Sequence, residues 1–197
     1  MAKPTDTKEK ILITASKLFQ KQGYHGTGLN QIIKESGCPK GSLYYYFPEG
    51  KEQLVEEAIW RAKEGMRKDL TTLLAVHDDA RDAIDYVLTY HEKIDVTAEY
   101  DGIPLALIAM ETSLMSERIR LACKEAYDLM IELVAQKFIA SKWPQQEAVK
   151  IATLLLAILQ GYGIMAMTHL SNEPFLLAHQ QILTIITQKE RELIAHD

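Results

Sequence analysis

Cysteine is scarce in this chain. Cys38 and Cys123 are its only two, far apart and without a CxxC spacing, which excludes a disulfide scaffold and points to a reducing cytosol. A long apolar region is missing at the N-terminus, so no signal peptide is expected, and no uninterrupted apolar run has the length to span a bilayer. The expected location is therefore cytoplasmic, away from any membrane. Strand-like alternation, internal repeats and low-complexity tracts are lacking too, which leaves an all-α reading. Catalytic signatures are equally wanting. There is no GxSxG elbow and no HExxH pair, and no glycine-rich loop follows a strand. Gly161-Tyr162-Gly163 sits inside an apolar stretch, and Gly50-Lys51 belongs to a turn. The chain is read as no enzyme, with no cofactor and no metal. His77, Asp78 and Asp79 are read as a turn in which an aspartate caps a helix.

What is present is asymmetric. The 197 residues carry a net charge of −5, which alone argues against nucleic acid. Residues 1–51, however, hold eight lysines against four acids, a net +4, while the remainder holds 14 basic and 23 acidic residues, a net −9. A basic end on an acidic body is the charge pattern of a protein that meets DNA through one face. Apolar residues make up 47% of the chain, enough for a substantial core.

The stretch Thr27 to Lys51, TGLNQIIKESGCPKGSLYYYFPEGK, organises the chain. Thr27 is expected to cap a first helix whose Leu29, Ile32 and Ile33 share one face. Gly37 ends that helix in the left-handed conformation, and Pro39 suits the first turn of a second. The second helix runs from Lys40 to Phe47, with Leu43 and Phe47 four apart and inward. Lys40, Gly41, Ser42, Tyr44 and Tyr45 remain on the outer side, because adjacent tyrosines cannot all enter one core. Gly41 lets backbone approach a groove, Ser42 and Lys40 offer polar contacts, and the phenols can bond phosphates while their rings touch thymine methyls. Thr27 and Lys51 are assigned to phosphates, Lys51 opening a third helix. With Gly28 these residues form the expected DNA-facing set.

This stretch resembles the helix-turn-helix of TetR-family transcriptional repressors. TGLNQI followed by PKGSLYYYFPEGKEQL is most similar to the LmrA-type branch, which responds to antibiotics and flavonoids. The resemblance implies a three-helix DNA-binding domain at residues 1–51 and a larger helical ligand-binding and dimerisation domain at 52–197. It also implies operator DNA, a small-molecule inducer and a second copy of the chain as partners. The chain departs from most members in carrying Tyr46 where they have histidine, and in the extra residue of Pro48-Glu49-Gly50.

Along the rest of the chain, a first helix is predicted from Asp6 to Gln22, ended by Gly23. A long helix from Lys51 to Val76, roughly 40 Å at 1.5 Å per residue, forms the joint between domains, with Gly65 as a candidate bend. Further helices are predicted at 80–98, 105–111, 116–141, 145–169 and 174–195. The run IATLLLAILQGYGIMAM is apolar all round, so a second subunit is its natural cover. Gly161 and Gly163 would suit close helix approach. Tyr86, Tyr90, His91, Met110, Glu111, Tyr127, Met130 and Tyr162 mix aromatic, soft and polar groups and are the candidate ligand-binding residues. Glu111 and the acidic body favour a neutral or cationic ligand over an anion. A helical small-molecule-binding protein, or a protein–protein adaptor, is the alternative to a repressor, and a DNA mobility shift separates them.

Overall fold

A computed structural model describes residues 4–93 and 102–195. Among the described residues all regular structure is helical. In chain order the helices are α1 (Pro4–Gly26), α2 (Leu29–Ser36), α3 (Lys40–Tyr46), α4 (Lys51–Leu74), α5 (Ala80–Glu92), α6 (Leu105–Thr112), α7 (Glu117–Ala140), α8 (Gln145–His169) and α9 (Glu173–Ala195). The predicted extension of α5 to residue 98 and the break at Asp101 lie outside the described residues. So do residues 1–3.

The helix ends follow local chemistry. Gly23, at φ 70°, breaks α1 near its end, and Gly37, at φ 63°, closes α2 with its N–H donating to the Lys34 carbonyl. Both angles are in the left-handed region that glycine enters at no steric cost. Asp79 caps α5, its carboxylate accepting the N–H groups of Arg81 and Asp82. Ser116 does the same for α7, accepting from Ile119 N–H at 3.3 Å. Lys142 at φ 68° turns the chain out of α7, after which Pro144 stands just before α8. α4 runs unbroken through Gly65.

The chain forms two compact units, Met1–Gly65 with Glu99–Tyr127, and Met66–Ala98 with Asp128–Asp197. The division does not follow a single cut near residue 51. α6 packs on α1, so the first unit recruits a segment from the middle of the chain, and α4 and α7 each contribute to both units. In the first unit α1, α2 and α3 pack on one another. Ile11, Phe19, Ile32, Leu43, Phe47, Leu54, Ile59, Ile108 and Ile119 have no solvent exposure there.

In the second unit α9 packs on α8 and α5. Its core holds Ile84, Val87, Leu88, Phe138, Trp143, Ile151, Leu155, Ile182 and Ile186, and Phe138 meets Trp143 at 4.7 Å between ring centres. His179 of α9 is only 14% exposed and lies between two carboxylates of α5, with Nδ1 2.5 Å from Glu92 Oε1 and Nε2 2.6 Å from Asp85 Oδ1. Burial opposes charge on this imidazole, but the bonds to Glu92 and Asp85 outweigh it and raise its pKa above the usual value.

Within one chain α8 is left largely uncovered. By length and composition alone it could cross a membrane, with mean hydropathy 1.7 over its most apolar window, yet only 22% of that window is buried. Leu154, Ile164, Met165 and Met167 stand exposed along it, and Leu176 and Leu177 on α9. A Cβ at Gly161 would meet nothing within 4 Å, so among the described residues no other helix approaches that glycine closely.

Candidate nucleic-acid interface

α2 and α3 owe their geometry to the turn between them. Ser36 Oγ donates to the Ile33 carbonyl and receives the Cys38 N–H at 3.4 Å, while the buried Cys38 thiol reaches back to the Ser36 carbonyl. Pro39 is the residue before α3, not its first turn, and the Ser42 N–H donates to the Pro39 carbonyl at 2.9 Å. Leu43 and Phe47 are fully buried, as their four-residue spacing requires. The opposite side of α3 is therefore forced outward. Lys40 and Gly41 are exposed, Tyr44 is 42% and Tyr45 78% exposed, and Ser42 is half-buried. Lys40 Nζ lies 5.9 Å from the Tyr44 ring centre, and Tyr45 meets Tyr46 edge-on at 4.9 Å. A Cβ on Gly41 would meet nothing within 4 Å among the described residues, so its bare backbone is available to a partner from outside. Gly28 is likewise open and precedes α2, its carbonyl accepting from Gln31 and Ile32 N–H.

One expectation changes here. Thr27 does not cap α2, because its hydroxyl donates to the Gly23 carbonyl at 2.7 Å and it is only 1% exposed. A left-handed residue four positions upstream presents that carbonyl, and the side chain takes it in preference to the helix N–H groups. Lys51 is half-buried, with Nζ 4.0 Å over the Tyr24 ring. Burial lowers the Lys51 pKa, while the nearby Glu111 charge acts in the other direction. Burial also raises the Tyr24 phenol, with Glu52 adding to it.

Sequence reasoning missed the supports behind this face. Gln53 holds the Pro48–Gly50 turn, accepting the Glu49 N–H at 3.1 Å and donating to the Tyr46 carbonyl at 3.3 Å. Arg118 of α7 pairs with both Glu49 and Glu56, and Ser116 donates to Glu52 at 3.1 Å. The partners are more than sixty residues apart, so no local pattern announces them.

The eight candidate ligand-binding residues divide between the units. Met110, Glu111 and Tyr127 belong to the first, and Tyr86, Tyr90, His91, Met130 and Tyr162 to the second. Met110 is 78% exposed and Tyr90 52%; Tyr86 stands edge-on to His77. His91 Nδ1 donates to the Val87 carbonyl at 2.8 Å. Tyr127 and Met130 are half-buried, burial raising the Tyr127 phenol, and Tyr162 packs against the second unit's core. Glu111 does not present a free carboxylate. Its Oε2 accepts the Tyr24 N–H at 2.5 Å. Two grooves in the second unit, of about 420 and 270 Å³, are lined by other residues, among them Arg81, Thr187 and Arg191 in the larger. Cys123 is buried, its thiol pushed up to about 11 by burial, and the described residues hold no group of three potential metal ligands.

A helix-turn-helix with a polar aromatic outer face, carried on an all-helical two-unit chain, defines a DNA-binding regulator. Residues 11–58 match the bacterial regulatory proteins of the tetR family, and residues 80–181 match the C-terminal domain of LmrA/YxaF-like transcriptional regulators. The chain is 38% identical over 185 residues to the HTH-type transcriptional regulator YxaF of Bacillus subtilis, covering 93% of this chain and 97% of YxaF. It is 41% identical over 172 residues to LmrA of the same organism, covering 87% and 92%. Among solved structures, a TetR regulator from Chloroflexus aurantiacus superposes with a TM-score of 0.81 at 28% identity, over 95% of this chain and 98% of that one. Reduced NemR of Escherichia coli gives 0.79 at 25%, over 90% and 95%. The chain belongs to the TetR family of transcriptional regulators, with an LmrA/YxaF-like C-terminal domain. These relatives are regulators and not enzymes, in keeping with the missing catalytic signatures.

Proposed function

We propose that this regulator is a cytoplasmic, ligand-responsive repressor that binds operator DNA as a homodimer and is released by a small apolar or aromatic inducer. The observation that carries the DNA part is the outward face of α3, where Lys40, Tyr44 and Tyr45 surround an unobstructed Gly41 while Leu43 and Phe47 fix the helix from behind. Lys40, Ser42, Tyr44 and Tyr45 meet base edges and phosphates, Gly28 permits close approach at the start of α2, and Lys51 adds a phosphate contact. Thr27 serves phosphate binding through the turn it braces. NemR, a relative 29% identical over 135 residues, is by name a repressor, which supports the same direction of control.

The exposed apolar residues of α8 and α9 support dimerisation through these helices, and Gly161 leaves room for a partner's helix. Release requires that the inducer bind the DNA-incompetent state more tightly than the competent one. α4 contributes to both units and is the element able to report occupancy. A change in its course would move paired recognition helices off a spacing of about 34 Å, and coupling of about 1–3 kcal/mol would alter DNA affinity roughly 5–150-fold. Mobility shift and footprinting against the promoters around the chain's own gene, followed by a panel of aromatic drugs and plant phenolics, test both parts. Absence of any sequence-specific shift removes the repressor. A set of binders that all leave operator affinity unchanged removes the switch.

A further inference from the structure

α6 reaches into the turn that delivers α2. Gly23 breaks α1 at φ 70°, ψ −176°, and the next residue, Tyr24, donates its N–H to Glu111 Oε2 at 2.5 Å. The carboxylate fills the space beside the glycine, since a Cβ at position 23 would stand 2.6 Å from Glu111 Oε1. The Glu111 carbonyl lies 3.3 Å from His25 Nε2. On the inner side Thr27 Oγ1 donates to the Gly23 carbonyl, so the segment 23–27 is held from two directions just before Gly28 opens α2. The ring of Tyr24 in turn carries the Lys51 ammonium at 4.0 Å. α6 is itself fixed. Ile108 is fully buried, and Gln20 Nε2 of α1 donates to the Gly102 carbonyl at 2.8 Å just ahead of the helix.

We propose that Glu111 is a positioning residue for operator binding, setting the Gly23–Thr27 turn and the Tyr24–Lys51 stack from a helix that lies outside the helix-turn-helix. The proposal rests on the DNA-binding reading of α3 and Lys51. A carboxylate accepting a backbone N–H makes a charge-assisted bond, stronger and shorter than a neutral one. Its geometry fixes where α2 begins, and hence the angle at which α2 offers α3 to a groove. Lys51 sits in the field of the same carboxylate, so loss of the anion changes its setting as well.

The test compares affinity for a footprinted operator with affinity for a scrambled duplex of equal length, by fluorescence anisotropy, with helicity checked by circular dichroism. Glu111→Ala is expected to lower the operator-to-scrambled ratio by about 10-fold while leaving scrambled binding near the parent's. Glu111→Gln keeps an amide oxygen for the Tyr24 N–H and is expected to recover most of the ratio. If Glu111→Ala does not fold, Glu111→Asp keeps the charge one methylene short of Tyr24 and is expected to lower the ratio in the same way. Equal weakening of both duplexes overturns the proposal, because a merely structural residue reduces the folded fraction and not the discrimination. Tightening of both also overturns it, since the carboxylate would then act only by repelling phosphates. A parent that discriminates no duplex removes the DNA-binding reading itself, and the proposal with it.

Discussion

α3 and α8 both leave large side chains uncovered, and they do so with different chemistry. On α3 the exposed side chains are Tyr44 and Tyr45, each ending in a hydroxyl, with Lys40 near the ring of Tyr44. On α8 they are Leu154, Ile164, Met165 and Met167, which have no strong hydrogen-bonding group to offer. A phenol can satisfy water, phosphate or a base edge, so the α3 face is at ease both wet and bound. An aliphatic stripe gains only by being covered. The contrast teaches that exposure alone does not name a partner. The polar atom at the end of the exposed side chain does, and it divides a nucleic-acid face from a protein face.

The largest expected effect comes from giving α8 a charge. Ile164 is 54% exposed within one chain, so Ile164→Glu should leave the protomer folded and weaken dimerisation by about 100-fold or more, through an unpaired charge buried between copies. Sedimentation at micromolar concentration would show monomer with parent-like helicity. A variant that remains dimeric would dissolve the distinction between the two helices. Next comes Tyr45→Ala, expected to weaken operator binding about 10-fold and to leave dimerisation untouched, with Tyr45→Phe showing how much of the loss belongs to the hydroxyl. Unchanged affinity in both would show that this ring is merely tolerated in water. Lys51→Ala should act across all duplexes and reduce the salt slope by about one.

The polar groups of the second unit supply the control, since they bond inward. His179 has a raised pKa in the folded chain, so its clamp contributes fully below the unfolded value of about 6.5 and is lost as pH rises through the higher folded value. The difference in urea midpoint between parent and His179→Gln should accordingly shrink from pH 6 to pH 9. A difference that is flat with pH would mean that the imidazole is not charged between Glu92 and Asp85. The smallest effect is expected from Asp79→Ala, which removes the α5 cap and should cost about 1 kcal/mol of stability without altering DNA affinity.

Helix order and type were legible because their signals are local. Gly23, Gly37, Asp79 and Pro144 stand at or beside the ends they mark, and the Leu43–Phe47 spacing already assigns the faces of α3. The TetR membership was legible in the string from Thr27 to Lys51 for the same reason. Long-range partners were not. The bond from Tyr24 to Glu111 spans 87 positions, and His179 drew no attention although α9 brings it between two acids of α5. Thr27 was misjudged by a competition that pattern alone cannot weigh, between the free N–H groups of α2 and a carbonyl turned toward it by Gly23.

Gly23 carries a genetic consequence. At φ 70°, ψ −176° its backbone lies in a region that only glycine enters at low cost, and an added Cβ would also meet the Glu111 carboxylate at 2.6 Å. A chain crippled by Gly23→Asn has no simple second-site revertant at position 111, because a smaller side chain there clears the space without relieving the backbone and gives up the bond to Tyr24. A suppressor screen begun at position 23 should therefore return glycine itself.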